Sequence, residues 1–289
     1  MDNNYKVNEY IICYFDVLGY TQTLQELGDN NYIHYMVSVM ETIKTVLNFG
    51  GMVSFEYHIF SDNIIIFVPI KEDKHENVIA ISEFIRCISI LQQNLIGQYN
   101  VFIRGCILIG NLYYDGSFVF GSGLIKAHAL EDEIAVYPRI IIDAECANLC
   151  RYEGEIIWKI LEKTYIRKDA DGYFVLDYLC DLKRVEVNKE SSHRINSCGN
   201  PIDTSEYIKL PDPFSSLDFS DNEKVQKLFS KYQMDYSPIG LNYLLLHKIA
   251  VERNIAIAKD EKTRKKYIWC KNYHNEVCKA NGISELIIE

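Results

Sequence analysis

Residues 10–19, YIICYFDVLG, form an apolar run that ends in Asp16 and Gly19, the pattern of a central strand buried on both faces. Apolar groups then recur at helical spacing over 20–48 (Leu24, Leu27, Ile33, Met36, Val37, Met40, Ile43, Val46, Leu47), which predicts two helices broken near Gly28–Asn31. MVSFEYHIF and NIIIFVPI follow, two strands separated only by Ser61–Asp62, the pattern of a hairpin. Residues 75–97 repeat the helical period and close at Gly97. VFIRGCILIG and NLYYDGSFVFG predict two more strands, with Asp115–Gly116 as a turn signal. A helix over 122–134 and a short buried strand at 139–143 complete the first half.

Written as symbols, that half reads β-αα-β-β-α-β-β-α-β. It is a ferredoxin-like or palm order, an antiparallel sheet covered by helices on one face, in the α+β class. A doubly wound sheet is excluded by the tight turns between adjacent strands, and no GxGxxG or GxxxxGK[ST] run is present. We place the palm domain at 1–143 and a mostly helical C-terminal extension at 144–289. Within the extension, 144–165 reads as helix, 169–179 as a turn into a strand, and 222–234 and 238–281 as helix. The polar stretch 183–222 carries no periodic run and reads as a long loop or boundary.

The net charge of −10 argues against a general nucleic-acid binder, whose affinity rests on lysine and arginine contacts to phosphates. It leaves open a small anionic substrate whose charge a metal ion neutralises. No apolar stretch reaches the roughly 18 residues that a membrane span needs, and the N-terminus lacks the pattern of a signal peptide. Nine scattered cysteines, an odd number, read as reduced core thiols. Together these predict a cytoplasmic protein without a membrane partner.

Asp16 at the end of a buried strand and Asp62 in a tight turn are each ordinary alone. The strand order makes them neighbours, because the first strand of such a sheet is central and the hairpin lies beside it. Two carboxylates with apolar walls suit a hard divalent cation, which takes one or two protein carboxylates plus substrate phosphates. That combination is the requirement of metal-assisted phosphoryl chemistry.

On these residues the first 143 positions resemble the class III nucleotide cyclase catalytic domain. The matching features are Phe15–Asp16 with Gly19, Ser61–Asp62, Arg104–Gly105 through Gly110, Phe120–Gly121, Ala127, and Leu130–Glu131. The resemblance implies a metal-dependent cyclase, using Mg2+ or Mn2+, that turns a nucleoside triphosphate into a cyclic nucleotide and pyrophosphate. It implies that Asp16, Asp62 and the backbone carbonyl of Val17 are the metal ligands. Phe15, Leu18, Gly19, Tyr20 and Ser61 would line the triphosphate end, and a head-to-tail homodimer would complete the sites. Divergent bacterial members include pyrimidine cyclases of antiphage signalling, a setting that a stand-alone chain fits.

The departures are specific. Ser61 stands where the family has glycine, and Ile125 and Ala129 stand where it has an asparagine and an arginine that stabilise ribose and transition-state phosphate. Arg104 and Lys126 are the leading substitutes, with His128 and Arg139 behind them. A degenerate cyclase fold that only binds nucleotide or scaffolds a partner stays open as the alternative, as does a palm nucleotidyltransferase joining two nucleotides. Of the remaining features, Asp169–Gly172 reads as a turn rather than a calcium loop, since no glutamate occupies the twelfth position. His247 reads as a core histidine, and the basic run Lys262–Lys266 with Tyr267 and Trp269 as the solvated face of a terminal helix.

Overall fold

The computed structural model describes residues 6–19, 29–48, 53–179, 231 and 238–289. The strands are β1 (Asn8–Val17), β2 (Glu56–Phe60), β3 (Asn63–Pro69), β4 (Ile103–Tyr114), β5 (Val119–Phe120), β6 (Ile140–Ile142), β7 (Ile166–Lys168) and β8 (Phe174–Leu176). The helices are α1 (Asp29–Asn48), α2 (Lys74–Tyr99), α3 (Ser122–Glu133), α4 (Ala144–Glu153), α5 (Glu155–Thr164), α6 (Pro238–Ile257) and α7 (Glu261–Ala280). The sheet order is β2-β3-β1-β4-β6-β8-β7, with β5 paired to β4. Its first four members, with α1 and α2 as the two crossovers, are a βαββαβ ferredoxin-like palm with β1 in the centre, as the pattern predicts. The first of the two helices expected in 20–48, and the stretch 183–222, lie outside the described residues.

Alternation along β1 divides the interior. Ile11, Cys13, Phe15 and Val17 point into the main core with α1, α2 and α4, while Tyr10, Ile12 and Tyr14 join Cys106, Leu108 and Ala127 on the other face. Helices therefore cover both faces, not one: α3 crosses the second face. It comes close because glycine meets glycine there, a Cβ on Gly110 falling 2.7 Å from the Gly123 Cα. Gly123, Ala127 and Glu131 follow at four-residue intervals and make the buried stripe of α3. One register is parallel, β4 with β6. The sheet is thus mixed, because α3 returns the chain in the direction of β4.

Beyond residue 143 the chain first extends the sheet through β7 and β8, then stacks α6 and α7 around a second core of Phe102, Tyr178, Leu244, Tyr267 and Tyr273. The helical run 144–165 breaks into α4 and α5 at Gly154, where a Cβ would sit 2.3 Å from Val78. Helix α2 starts on the Asp73 side chain, which accepts from His75 N–H, and ends at Asn100 with φ 56°, three residues beyond the expected Gly97. Among the described residues α2 is the one helix long and apolar enough to span a membrane by length and composition, and here it packs in the core. Seven cysteines are described, all buried as free thiols.

Candidate functional site

The site lies where β1 ends, β4 begins and the β2–β3 hairpin turns. Phe60 pairs with Asn63, so Ser61 and Asp62 alone make the turn. Ser61 has φ 61° while Asp62 does not enter that region, the φ pattern of a type II′ hairpin. The left-handed position that suits glycine is therefore kept although the residue is serine. The Val17 N–H donates to the Asp62 carbonyl at 3.0 Å, tying the two acid-bearing segments together. The Leu18 N–H donates to the Phe102 carbonyl at 2.9 Å and fixes the chain just past Asp16.

Asp16 pairs across the sheet with Asn63 on one side and Arg104 on the other. Arg104 Nε donates to Asp16 Oδ2 at 3.0 Å, and its Nη2 lies 2.5 Å from Glu131 Oε1. Glu131 is 3% exposed and Oε1 accepts no properly aligned hydrogen bond, so this is charge contact without directed bonding. Gly105 permits the arrangement, since a Cβ there would stand 2.0 Å from the Tyr14 carbonyl. Tyr14 donates to Asn63 Oδ1 at 2.6 Å and holds the start of β3.

The electrostatics are unbalanced. Burial raises the Asp16 carboxyl above its ordinary range, although Arg104 pulls the other way, and the charge of Asp62 raises it further. Burial also raises Glu131, again against Arg104 and with Asp16 adding repulsion. Burial, then Glu131 and Asp16, push the Tyr14 phenol up to about 12. Asp62 is half-buried, and no protein cation pairs with it among the described residues. A cation beside Asp16 and Asp62 would relieve all three groups. No cluster of three or more histidine, cysteine or acidic residues able to hold a metal occurs among the described residues. A two-carboxylate site of the magnesium kind does not need one, since phosphate oxygens and waters fill the remaining positions.

The other expected residues are distributed as follows. Phe15 is wholly buried in the main core and supports the site from behind, while Leu18 packs against the C-terminal helices. Gly19 is exposed with φ 81°, and Tyr20 lies outside the described residues. The Lys126 ammonium is held elsewhere, 2.7 Å from Asp143 and 3.3 Å from Glu145, with the Ile109 carbonyl at 3.4 Å. Ile109 is five residues along β4 from Arg104, so Lys126 and Asp16 are not brought together. Arg139 is 2% exposed and bound to Asp169 and Asp171. His128 is mostly exposed and 3.5 Å from Glu131. Ile125, 75% exposed, and Ala129 lie on the outer side of α3.

One cation was not read from the sequence as a site residue. Lys266 of α7 is half-buried, and its charge is repelled by Arg104 and attracted by Asp16 and Glu131. Its run of basic residues reads as a solvated face, and its spacing of four from exposed Lys262 puts both on one side of the helix, so no local signal marks Lys266 as half-buried.

A ferredoxin-like palm with two acids at the mouth of its central strand is the class of molecule these observations define. No protein-family model matches the chain, and no curated protein does. Similar solved structures include the adenylyl cyclase CyaB from P. aeruginosa, at 15% identity over 59% of this chain and 93% of that one, with TM-score 0.41. The monomeric guanylyl cyclase domain of the RhoGC fusion protein from the aquatic fungus Blastocladiella emersonii is 10% identical over 60% and 96%, with TM-score 0.43. A class III adenylyl cyclase-like ATP-binding protein from Pseudomonas aeruginosa is 13% identical over 50% and 35%, with TM-score 0.35.

Proposed function

We propose that the protein is a metal-dependent nucleotide cyclase acting on a nucleoside triphosphate. The observation that carries this reading is the Val17–Asp62 backbone bond, which brings the Asp62 turn against the end of β1 beside Asp16, close enough for the Asp62 charge to act on the Asp16 carboxyl. Asp16, Asp62 and the Val17 carbonyl are the groups that would hold Mg2+ or Mn2+. Bound there, the ion supplies Lewis-acid polarisation of the phosphate oxygens and lowers the cost of ionising a hydroxyl.

The ribose 3′-oxygen attacks the α-phosphorus, the bond to the β-phosphate oxygen breaks, pyrophosphate leaves, and the hydroxyl proton passes to water. Arg104 holds Asp16 in place and presents its remaining donors to departing phosphate charge, while Glu131 fixes the guanidinium from behind. Ser61 and Gly19 are exposed at the two turns. The Ile125 and Ala129 positions offer no donor, so ribose and transition-state contacts come from elsewhere, in a homodimer from the second copy.

Pyrophosphate release from each of ATP, GTP, CTP and UTP with Mn2+ tests the reading. Activity on at least one, abolished by Asp16→Ala and by Asp62→Ala, is the expected result. Full activity in either variant, or linear dinucleotide products, would overturn it. Identification of a cyclic pyrimidine product would extend the reading to antiphage signalling. A second reading, nucleotide binding without turnover, is favoured by the outward-facing Ile125 and would appear as metal-dependent triphosphate binding with no pyrophosphate.

A further inference from the structure

We propose that Lys266, on the C-terminal helix of the same chain, binds the substrate's phosphates and completes the Asp16–Asp62 site in cis. The proposal rests on the triphosphate reading above and adds a residue that lies outside the palm. Its basis is the docking of α7 across the mouth of β1. The Tyr267 ring packs edge-on against Phe102, with centroids 5.6 Å apart, and Phe102 is the residue whose carbonyl anchors Leu18. The Tyr267 hydroxyl lies 3.7 Å from where a Cβ on Gly19 would be. Two residues on, Trp269 stacks on Tyr137 at 5.9 Å and 8°. Two ring contacts, one against Phe102 beside the end of β1 and one against Tyr137 just before β6, thus fix residues 267–269, and Lys266 is the ammonium next to Tyr267.

Lys266 is an uncomfortable neighbour in the unliganded chain. It is half-buried and makes no ion pair among the described residues. Burial and then Arg104 hold its ammonium below the ordinary lysine value, against the attraction of Asp16, with Lys262 adding further repulsion. A lysine placed for stability alone would be expected to reach a carboxylate or open water. This one follows directly before Tyr267, which packs on Phe102 beside the end of β1, and Arg104 repels its charge while Asp16 and Glu131 attract it. Two unlike cations converging on one side of an acid pair make a place for a polyanion: the acids take the metal, and the guanidinium and ammonium take phosphate oxygens. The flexible stem of lysine lets the charge follow phosphates of different position, whereas Arg104 is fixed by two carboxylates.

The test compares wild type with Lys266→Met, which keeps the stem and removes the charge, Lys266→Arg, and the exposed control Lys265→Met. Inorganic triphosphate with Mn2+ serves as a base-independent probe by calorimetry, alongside KM for whichever nucleoside triphosphate is turned over. Loss of one charged phosphate contact predicts roughly 10- to 100-fold weaker binding in Lys266→Met. Lys266→Arg should recover most of it and Lys265→Met should match wild type. The unliganded melting temperature of Lys266→Met should be unchanged or higher, because a disfavoured buried charge is gone. Binding within twofold of wild type in Lys266→Met, while Asp62→Ala loses it, would overturn the lysine proposal and leave the metal site standing. A melting temperature several degrees lower with unchanged affinity would likewise make the residue structural. Failure of wild type to bind any triphosphate would overturn both readings together.

Discussion

Two arginines stand near the same end of neighbouring strands, Arg104 in β4 and Arg139 just before β6, and each holds two carboxylates. Arg139 binds Asp169 and Asp171 and also donates to the Ile134 carbonyl at 2.9 Å. Its acids are satisfied twice over: Asp169 accepts the Ala170 N–H and lies 3.4 Å from Arg167, and Asp171 accepts the Tyr173 N–H. The Asp171 carboxyl is accordingly held below its ordinary range by Arg139 and backbone N–H bonds, which outweigh its burial. The Arg104 cluster behaves in the opposite way. Asp16 and Glu131 are both raised, Glu131 Oε1 has no aligned donor, and a further acid and a further cation, Asp62 and Lys266, crowd in without pairing. Each cluster keeps unaligned buried atoms, Glu131 Oε1 in one and Arg139 Nε and Arg167 Nε in the other, so the contrast lies in the acids: Asp171 is lowered by its arginine, while Asp16 and Glu131 are raised despite theirs.

The comparison is sharpest in paired substitutions. Asp16→Asn should reduce pyrophosphate release by roughly a thousandfold or more, while changing unfolding free energy by under about 1 kcal/mol, since Arg104 keeps Glu131. Asp169→Asn should do the reverse, lowering stability by about 3 kcal/mol in denaturant unfolding while leaving activity near wild type, because a buried arginine loses a partner. Equal stability losses in the two variants would erase the distinction between the clusters.

The acid pair also sets opposite pH slopes. Asp16 has a raised folded pKa, so its ionisation opposes folding and stability declines as pH rises from the ordinary carboxylate value through the folded one. Asp171 has a lowered folded pKa, so its contribution is present above the ordinary value and is lost as pH falls through the folded one. Melting curves between pH 3 and 6, by estimate the window of ordinary carboxylate titration, should flatten in opposite senses in Asp16→Asn and Asp171→Asn.

A third polar cluster, without formal charge, calibrates the other two. His247 and His274 stack with Nδ1 atoms 3.0 Å apart, Tyr178 sits 3.4 Å from His247 Nε2, and His274 Nε2 is 2.8 Å from the Leu286 carbonyl. A neutral proton order satisfies the chain: Tyr178 O–H to His247 Nε2, His247 Nδ1–H to His274 Nδ1, and His274 Nε2–H to the Leu286 carbonyl. Burial holds His247 well below the ordinary histidine range and lowers His274 to about 4. The unfolded chain therefore takes up protons first as pH falls below about 6.5; His274 alone should lower stability by on the order of 3 kcal/mol by pH 4, and His247 adds to the loss. Replacing His274 by Gln should flatten that decline in urea titrations. The smallest effect belongs to Ser61→Gly. Relief of a left-handed serine and the extra unfolded-state freedom of glycine nearly cancel, leaving a change of a few tenths of a kcal/mol, about the limit of thermal unfolding measurements.

Much of the palm was legible along the chain. Period-two and period-3.6 runs identify β1 through α3 because burial on one face imposes those spacings whatever the neighbours. The acids at the mouth of β1 are legible for the same reason: Asp16 interrupts an apolar strand at its last turn outward, and Ser61–Asp62 can only be a two-residue turn. The lysines were harder. Lys126 and Lys266 are both helix residues beside basic or small neighbours, and nothing local separates the one bound by Asp143 from the one turned toward Asp16. The parallel β4–β6 pairing, the β7–β8 extension and the two helical faces likewise leave no periodic mark.

Asp16 and Asp62 as strand-end acids, the central position of β1 and the hairpin between them are therefore properties of the sequence alone. Their setting is not. Arg104 faces Asp16 through cross-strand register, Glu131 reaches Arg104 through the glycine contact of α3 with β4, and Lys266 arrives through aromatic packing of a helix some 250 residues downstream. Periodicity records which side of an element is buried. Which charge meets which across the interior depends on contacts between distant segments, and only tertiary packing decides those.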